Sequence, residues 1–360
     1  MKLPGYQELS KEQDGVYGLP LEGNFLVTGP PGTGKTVMAL YRSALLRRQQ
    51  RPAHLLTYSR LLSRYVRSAT DSLQIDETAV ATMHSWLARF WLKNYHKRVP
   101  SLAPYRHDWQ TIFASMKRLP PKEAPDLLID EGQDLPKEFY IMARLVSEHL
   151  TVFADENQRM TDTNSTLADI RAHAGIDDDG VRTLTRNYRN TREIAAFSAR
   201  FYTGLPSGIP DLPERTGEPP RLESYPSLAA EVDAIVRYTA TNDDLEVGVL
   251  LPSKKLVKSF YNRLKGKVAV PIRYYLSGEN ASIAFDDPGV TILTYQSAKG
   301  LEFDTVFLAA LNQVTLSPDL PETRMQYYVL TSRARDRLFL SYHDEGDTSI
   351  VRMLRENLET

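Results

Sequence analysis

Cysteine is absent from the 360 residues, which excludes disulfides and zinc–thiolate centres and fits a reducing compartment. An excess of either charge is absent as well. With a formal net charge of −1, the chain cannot hold nucleic acid by overall electrostatics, so any such site must be local. No stretch approaches the roughly 18 uncharged apolar residues that a membrane span needs. The opening Met1-Lys2-Leu3-Pro4-Gly5 also lacks the apolar core of a signal segment. Neither export nor membrane insertion is therefore expected, and the expected location is the cytoplasm. Apolar, charged and aromatic contents are ordinary for a folded protein, and the length exceeds that of a usual single domain, so two domains are expected.

Apolar runs rich in β-branched residues alternate with helical periods. Phe25-Leu26-Val27-Thr28 is followed by a helix through Arg48, and His54-Leu55-Leu56-Thr57 by another helix; further runs lie at Leu127–Ile129 and Thr151–Ala154. Such alternation predicts parallel βαβ units, an α/β fold. A second series at Val247–Leu251, Val290–Thr294, Val306–Leu308 and Leu338–Leu340 predicts a second α/β domain, with the boundary near Val181. The proline-rich stretch from Gly204 to Pro220 is either a hinge or a surface loop. The predicted domains are thus 1–180, with a reduced insertion at about 92–126, and 181–360.

Gly29-Pro30-Pro31-Gly32-Thr33-Gly34-Lys35-Thr36 fits G-x-x-x-x-G-K-[ST], between an apolar strand and a helix. Glycines let backbone N–H groups close around phosphates, and the helix N-terminus adds its positive end. Lys35 then reaches the outer phosphates, and the Thr36 hydroxyl is placed to ligate magnesium. Further on, Asp130-Glu131-Gly132-Gln133-Asp134 follows directly on an apolar strand, so two carboxylates emerge where α/β sheets place ligands. With a phosphate loop upstream, Asp130 is expected to hold magnesium through its water shell and Glu131 to deprotonate the attacking water.

These residues resemble the UvrD/Rep/PcrA type of superfamily 1 helicase, and the resemblance continues in order along nearly the whole chain. Leu9–Gln13 looks like the Q motif, implying adenine recognition by Gln13. Thr57-Tyr58-Ser59, followed by Arg60, resembles motif Ia, and Thr82-Met83-His84-Ser85 resembles motif Ib; both face single-stranded DNA in the family. Ala154–Gln158 is similar to motif III, implying Gln158 as a γ-phosphate sensor. Asn187-Tyr188-Arg189 looks like motif IV, implying Tyr188 stacked on adenine and Arg189 on the γ-phosphate. Thr294–Phe303, which contains Gly300 and Glu302, is close to motif V. Tyr328–Arg335 resembles motif VI, implying Arg333 as an arginine finger. The resemblance implies two tandem RecA-like P-loop lobes with flanking helices and an ATP site in the cleft between them. ATP and Mg²⁺ are the implied cofactors.

The chain departs from the family in four places. It is much shorter than the processive unwinding enzymes, and motif III continues as Arg159-Met160-Thr161-Asp162-Thr163, without the usual aromatics that stack on bases. Gln296 stands where histidine is usual, and Gly132 where alanine is usual. All three tryptophans fall between Trp86 and Trp109, among Phe90, Tyr95, Tyr105, Arg89 and Arg106. Aromatics among basic residues can bind single strands, but Trp86 with Phe90 and Leu87 with Trp91 sit at helical spacing and read better as core; docking of a partner protein is a third option. Arg60, Arg64 and Arg67 recur at helical spacing, as a nucleic-acid contact or equally as a solvated face. The leading expectation is a DNA-stimulated ATPase that translocates on single-stranded DNA, 3′ to 5′ by resemblance. Alternatives are an ATPase subunit serving a partner such as a nuclease, and a motor on RNA.

Overall fold

In the computed structural model the described residues are 3–67, 73, 75–121, 125–155, 165–204, 208–277, 285, 288–344 and 346–359. The chain divides into two compact units, Met1–Pro30 with Gly34–Leu184, and Pro31–Thr33 with Thr185–Thr360.

The first unit is built on strands β1 (Asn24–Thr28), β2 (Ala53–Thr57), β3 (Val80–Thr82), β6 (Asp126–Ile129), β7 (Leu150–Ala154) and β8 (Val181–Thr183); β4 (Ser101–Ala103) and β5 (Arg106–His107) form a separate antiparallel hairpin. The six pair all in parallel in the order β3-β2-β6-β7-β1-β8. Parallel strands are covered by helices on both faces, which is why β6 and β7 are mostly apolar and buried throughout. The helices are α1 (Lys11–Tyr17), α2 (Lys35–Arg48), α3 (Arg60–Arg67), α4 (Met83–Tyr95), α5 (Trp109–Arg118), α6 (Lys137–Val146) and α7 (Leu167–Ala174). Side chains of Ser10, Thr82, Asp108 and Thr166 accept the first free backbone N–H groups at the starts of α1, α4, α5 and α7. The helical spacing of Trp86, Leu87, Phe90 and Trp91 does mean core: all four are buried, and Trp86 stacks on Phe90 with ring centroids 5.0 Å apart.

The second unit has strands β9 (Arg221–Tyr225), β10 (Glu246–Leu251), β11 (Ile272–Tyr274), β12 (Gly289–Thr294), β13 (Phe303–Leu308) and β14 (Ala334–His343), again all parallel, in the order β11-β12-β10-β13-β14-β9. Helices α8 (Arg192–Ala199), α9 (Leu228–Ala240), α10 (Lys254–Leu264), α11 (Pro321–Thr331) and α12 (Ser349–Glu359) accompany it. Val249, Phe260, Ile292 and Phe307 lie in one buried cluster. Each unit is therefore a RecA-like α/β layer structure with a six-stranded parallel sheet. The boundary expected at Val181 falls a few residues later, because Val181–Thr183 pairs with Leu26–Thr28 of β1 and so completes the first sheet. Among the described residues no helix is long and apolar enough to cross a membrane.

Candidate active site

The phosphate-binding loop runs from the end of β1 to the start of α2, and its shape needs glycine. Gly34 has φ +88°, and a Cβ there would come within 2.5 Å of Gln13 Nε2. Gln13 is brought to the loop by its place at the third position of α1. Its Oε1 accepts the Ser10 N–H at 3.1 Å while the Ser10 hydroxyl accepts the Gln13 N–H at 3.2 Å, which orients the amide. Lys35 is buried, and its ammonium donates to the carbonyls of Gly29 and Pro30 at 2.5 and 3.0 Å and lies 3.7 Å from the Asp155 carboxylate. Pro31, Gly32 and Thr33 at the loop tip are buried.

Asp130 follows β6 and shares a hydrogen bond with the Thr36 hydroxyl. Its Oδ2 is buried without a hydrogen-bond partner. Burial, then the neighbouring Glu131, push its carboxyl up to about 7. A buried oxygen left open beside a hydroxyl is the chemistry a magnesium ion satisfies, so these residues fit that ion. Among the described residues no group of three or more His, Asp or Glu side chains could hold a metal. Magnesium at a phosphate loop draws most of its ligands from water and phosphate, so two protein ligands suffice.

Glu131 is buried and sits at φ +54°, a left-handed backbone unusual for a non-glycine residue. Its carboxylate accepts from Gln133 Nε2 at 2.6 Å, and Gln133 Oε1 accepts the Asp155 N–H at 2.9 Å. Gln133 thus locks the carboxylate to the end of β7. Sequence reasoning assigned no role to Gln133, although its place two residues after Glu131 was a visible signal. It had none for Tyr140, whose hydroxyl donates to the Gly132 carbonyl at 2.5 Å. Gln158 lies outside the described residues.

In the second unit the loop bearing Tyr188 and Arg189 is fixed by asparagines. Asn187 Oδ1 accepts the Arg189 N–H at 2.9 Å, and Asn190 Nδ2 donates to the Ser332 carbonyl at 3.1 Å. Tyr188 is exposed, with the Arg186 guanidinium 5.8 Å from its ring centroid. Arg189 Nε donates to Glu302 at 2.8 Å, and Arg335 donates to the other oxygen of the same carboxylate and to Asp304. Burial pushes the Glu302 carboxyl up, but Arg189 and Arg335 outweigh it and hold it below the usual range. Arg333 is buried, donating to the carbonyls of Val329 at 2.9 Å and Leu301 at 3.3 Å. Gly300, at φ +78°, turns the chain just before these groups.

Of the residues expected at single-stranded DNA, Thr57 is buried and donates to the Ser59 carbonyl. The Ser59 and Thr82 hydroxyls accept helix-starting N–H groups from Leu62 and Ser85, at 3.0 and 3.2 Å. Tyr58, Arg60 and Ser85 are exposed. His84 Nδ1 lies 2.8 Å from His107 Nε2, so the hairpin meets α4. Burial pushes the His84 imidazole down; burial, then His84, push His107 down to about 4, leaving both neutral at pH 7. The structure therefore brings Arg60 and His84 to one surface and spends Thr57, Ser59 and Thr82 on local backbone order.

A strand, a glycine-rich loop ending in Lys35-Thr36 and a strand-end carboxylate pair define a P-loop nucleotide hydrolase. Residues 16–163 match the AAA domain family, and residues 273–345 match the UvrD-like helicase C-terminal domain. A protein of Acanthamoeba polyphaga mimivirus named "Putative ATP-dependent DNA helicase R568" is 25% identical over 243 residues, 59% of this chain and 34% of that protein. The matching part spans about a third of that relative's length. A solved structure, the C-terminal domain of a possible DNA helicase from Lactobacillus plantarum WCFS1, is 26% identical, covering 46% of this chain and 91% of that one with a TM-score of 0.35. The two domain matches and the distant relative support a likeness of this chain to the UvrD-like superfamily 1 helicases.

Proposed function

We propose that this protein hydrolyses ATP with magnesium and uses the cycle to translocate along single-stranded DNA, in the 3′ to 5′ direction. The observation that carries the reading is the clustering, within one unit, of Lys35 against Asp155, Thr36 against Asp130, and Glu131 tethered by Gln133. Lys35 would exchange the loop carbonyls for the β- and γ-phosphate oxygens. Thr36 and Asp130 would hold magnesium, which when bound neutralises charge on the phosphates. Glu131 then accepts the proton of the attacking water; its tether through Gln133 aims it without further ordering at the moment of reaction. Gln13 and Tyr188 would hold adenine. Arg189 and Arg333 would stabilise the charge developing on the γ-phosphate, a role that planar, permanently charged guanidinium groups fill well.

The mimivirus relative, named as a DNA helicase, supports DNA as the polymer. The test measures ATP hydrolysis alone and with single-stranded DNA, single-stranded RNA and duplex. Stimulation by single-stranded DNA above the other two is expected. Equal rates with and without every polymer would overturn translocation in favour of an ATPase that serves a protein partner.

A further inference from the structure

The hairpin of β4 and β5 has no role in the nucleotide site, yet it places an aromatic ring where folding does not ask for one. Tyr105, at its tip, is 67% exposed and has φ +61°. A left-handed turn position is filled at least cost by glycine or asparagine, and a large exposed ring there gains little from burial. Nevertheless the ring is held. Arg60 Nη2 donates to the Tyr105 hydroxyl at 3.2 Å, and the His84 ring meets Tyr105 edge-on with centroids 5.3 Å apart. His84 is itself fixed by His107 on β5, whose Nδ1 lies 3.3 Å from the Ser101 hydroxyl on β4. A preorganised, solvent-facing aromatic ring thus sits beside two exposed arginines, Arg60 and Arg106. Among the described residues neither arginine pairs with a carboxylate. Tyr58, also exposed, lies two residues before Arg60.

We propose that the 101–107 hairpin is a stacking platform for single-stranded nucleic acid, in which the Tyr105 ring receives a base and Arg60 and Arg106 hold the adjoining phosphates. This rests on the nucleic-acid reading above and adds to it a contact on the reduced insertion. Every base has a π-face, so the platform tolerates any sequence. It also answers the sequence departure after motif III: where the usual aromatics are missing, the hairpin supplies one.

The test is fluorescence anisotropy of labelled oligo(dT), with oligo(rU) in parallel, titrated with the full chain at several salt concentrations. Tyr105→Asn suits the left-handed backbone, so loss of the ring is not confused with loss of the fold. It is expected to weaken binding about tenfold at every salt concentration, since stacking is not screened. Tyr105→Trp is expected to bind at least as well as the wild type. Arg60→Ala is expected to flatten the salt dependence by about 0.7 in log–log slope, the loss of one phosphate contact. Wild-type affinity in Tyr105→Asn overturns the platform while leaving nucleic-acid binding in place. If the wild type binds neither oligonucleotide, the nucleic-acid reading itself fails, and the platform with it.

Discussion

Gly132 offers a sharp test of how the Asp130 and Glu131 carboxylates are held, because a side chain there has no room in this fold. A Cβ on Gly132 would come 2.5 Å from Val152 Cγ1 and 2.8 Å from the Tyr140 hydroxyl. Val152 is fully buried in β7, between β6 and β1, and its β-branched side chain has little rotameric freedom. Overpacking of that kind costs about 1 to 3 kcal/mol. Displacing Tyr140 also breaks its hydrogen bond to the Gly132 carbonyl, for about 1 kcal/mol more. Gly132→Ala is thus expected to destabilise the first unit by about 2 to 4 kcal/mol, which lowers a urea midpoint by about 1 M or more at an m-value of roughly 2 kcal/mol/M. Tryptophan fluorescence is the right probe, since Trp86, Trp91 and Trp109 all belong to that unit. Val152→Ala in the Gly132→Ala background should recover at least about 1 kcal/mol as a coupling energy. A Gly132→Ala midpoint equal to that of the wild type would refute the packing argument.

Lys35→Ala is expected to abolish ATP turnover and weaken nucleotide affinity, as read by a fluorescent ATP analogue; unchanged turnover would remove the phosphate loop from the mechanism. Glu302→Ala, which strips the carboxylate shared by Arg189 and Arg335, should cost about 2 kcal/mol in denaturant unfolding, because the partly buried Arg189 guanidinium loses its counter-charge while Arg335 keeps only Asp304. Acid should weaken the first unit through His107. Its folded imidazole is depressed from 6.5 to about 4, so the associated stability is complete above pH 6.5 and is lost as the pH falls towards 4. Discounted for the ring's partial exposure, that is about 1 to 2 kcal/mol. His107→Asn should flatten this part of the urea-midpoint profile, and an unchanged profile would contradict the assignment.

Much of this architecture is legible in the sequence where one chain segment decides its own structure. The apolar runs at Phe25–Thr28 and Leu127–Ile129 are strands because both faces are covered, and the loop before Lys35 announces itself through glycine spacing. Val181-Arg182-Thr183 is different: one apolar residue in a short edge strand carries no periodic signal, and its pairing to β1 comes from the sheet. The hairpin at 101–107 escaped for the same reason, with strands of three and two residues that are largely exposed. At the site, Asp130 and Glu131 were visible as carboxylates after a strand. What holds them was not: Tyr140 sits on α6, and Asp155 joins Gln133 only once β6 and β7 lie side by side. The hydroxyls of Ser59 and Thr82 suggest nucleic-acid contacts by resemblance, whereas locally the N–H groups of Leu62 and Ser85 claim them. Sequence similarity conveys which residues gather, and packing decides which of their atoms are already engaged.

The central claim is that Glu131, whose carboxylate is held by Gln133, is the base in the ATP hydrolysis proposed above. Phosphate release from Mg²⁺–ATP by Glu131→Gln, alongside its affinity for a fluorescent ATP analogue, tests it most directly. The account predicts binding within a few-fold of wild type and turnover reduced by roughly 10²-fold or more; hydrolysis by Glu131→Gln at the wild-type rate would contradict it.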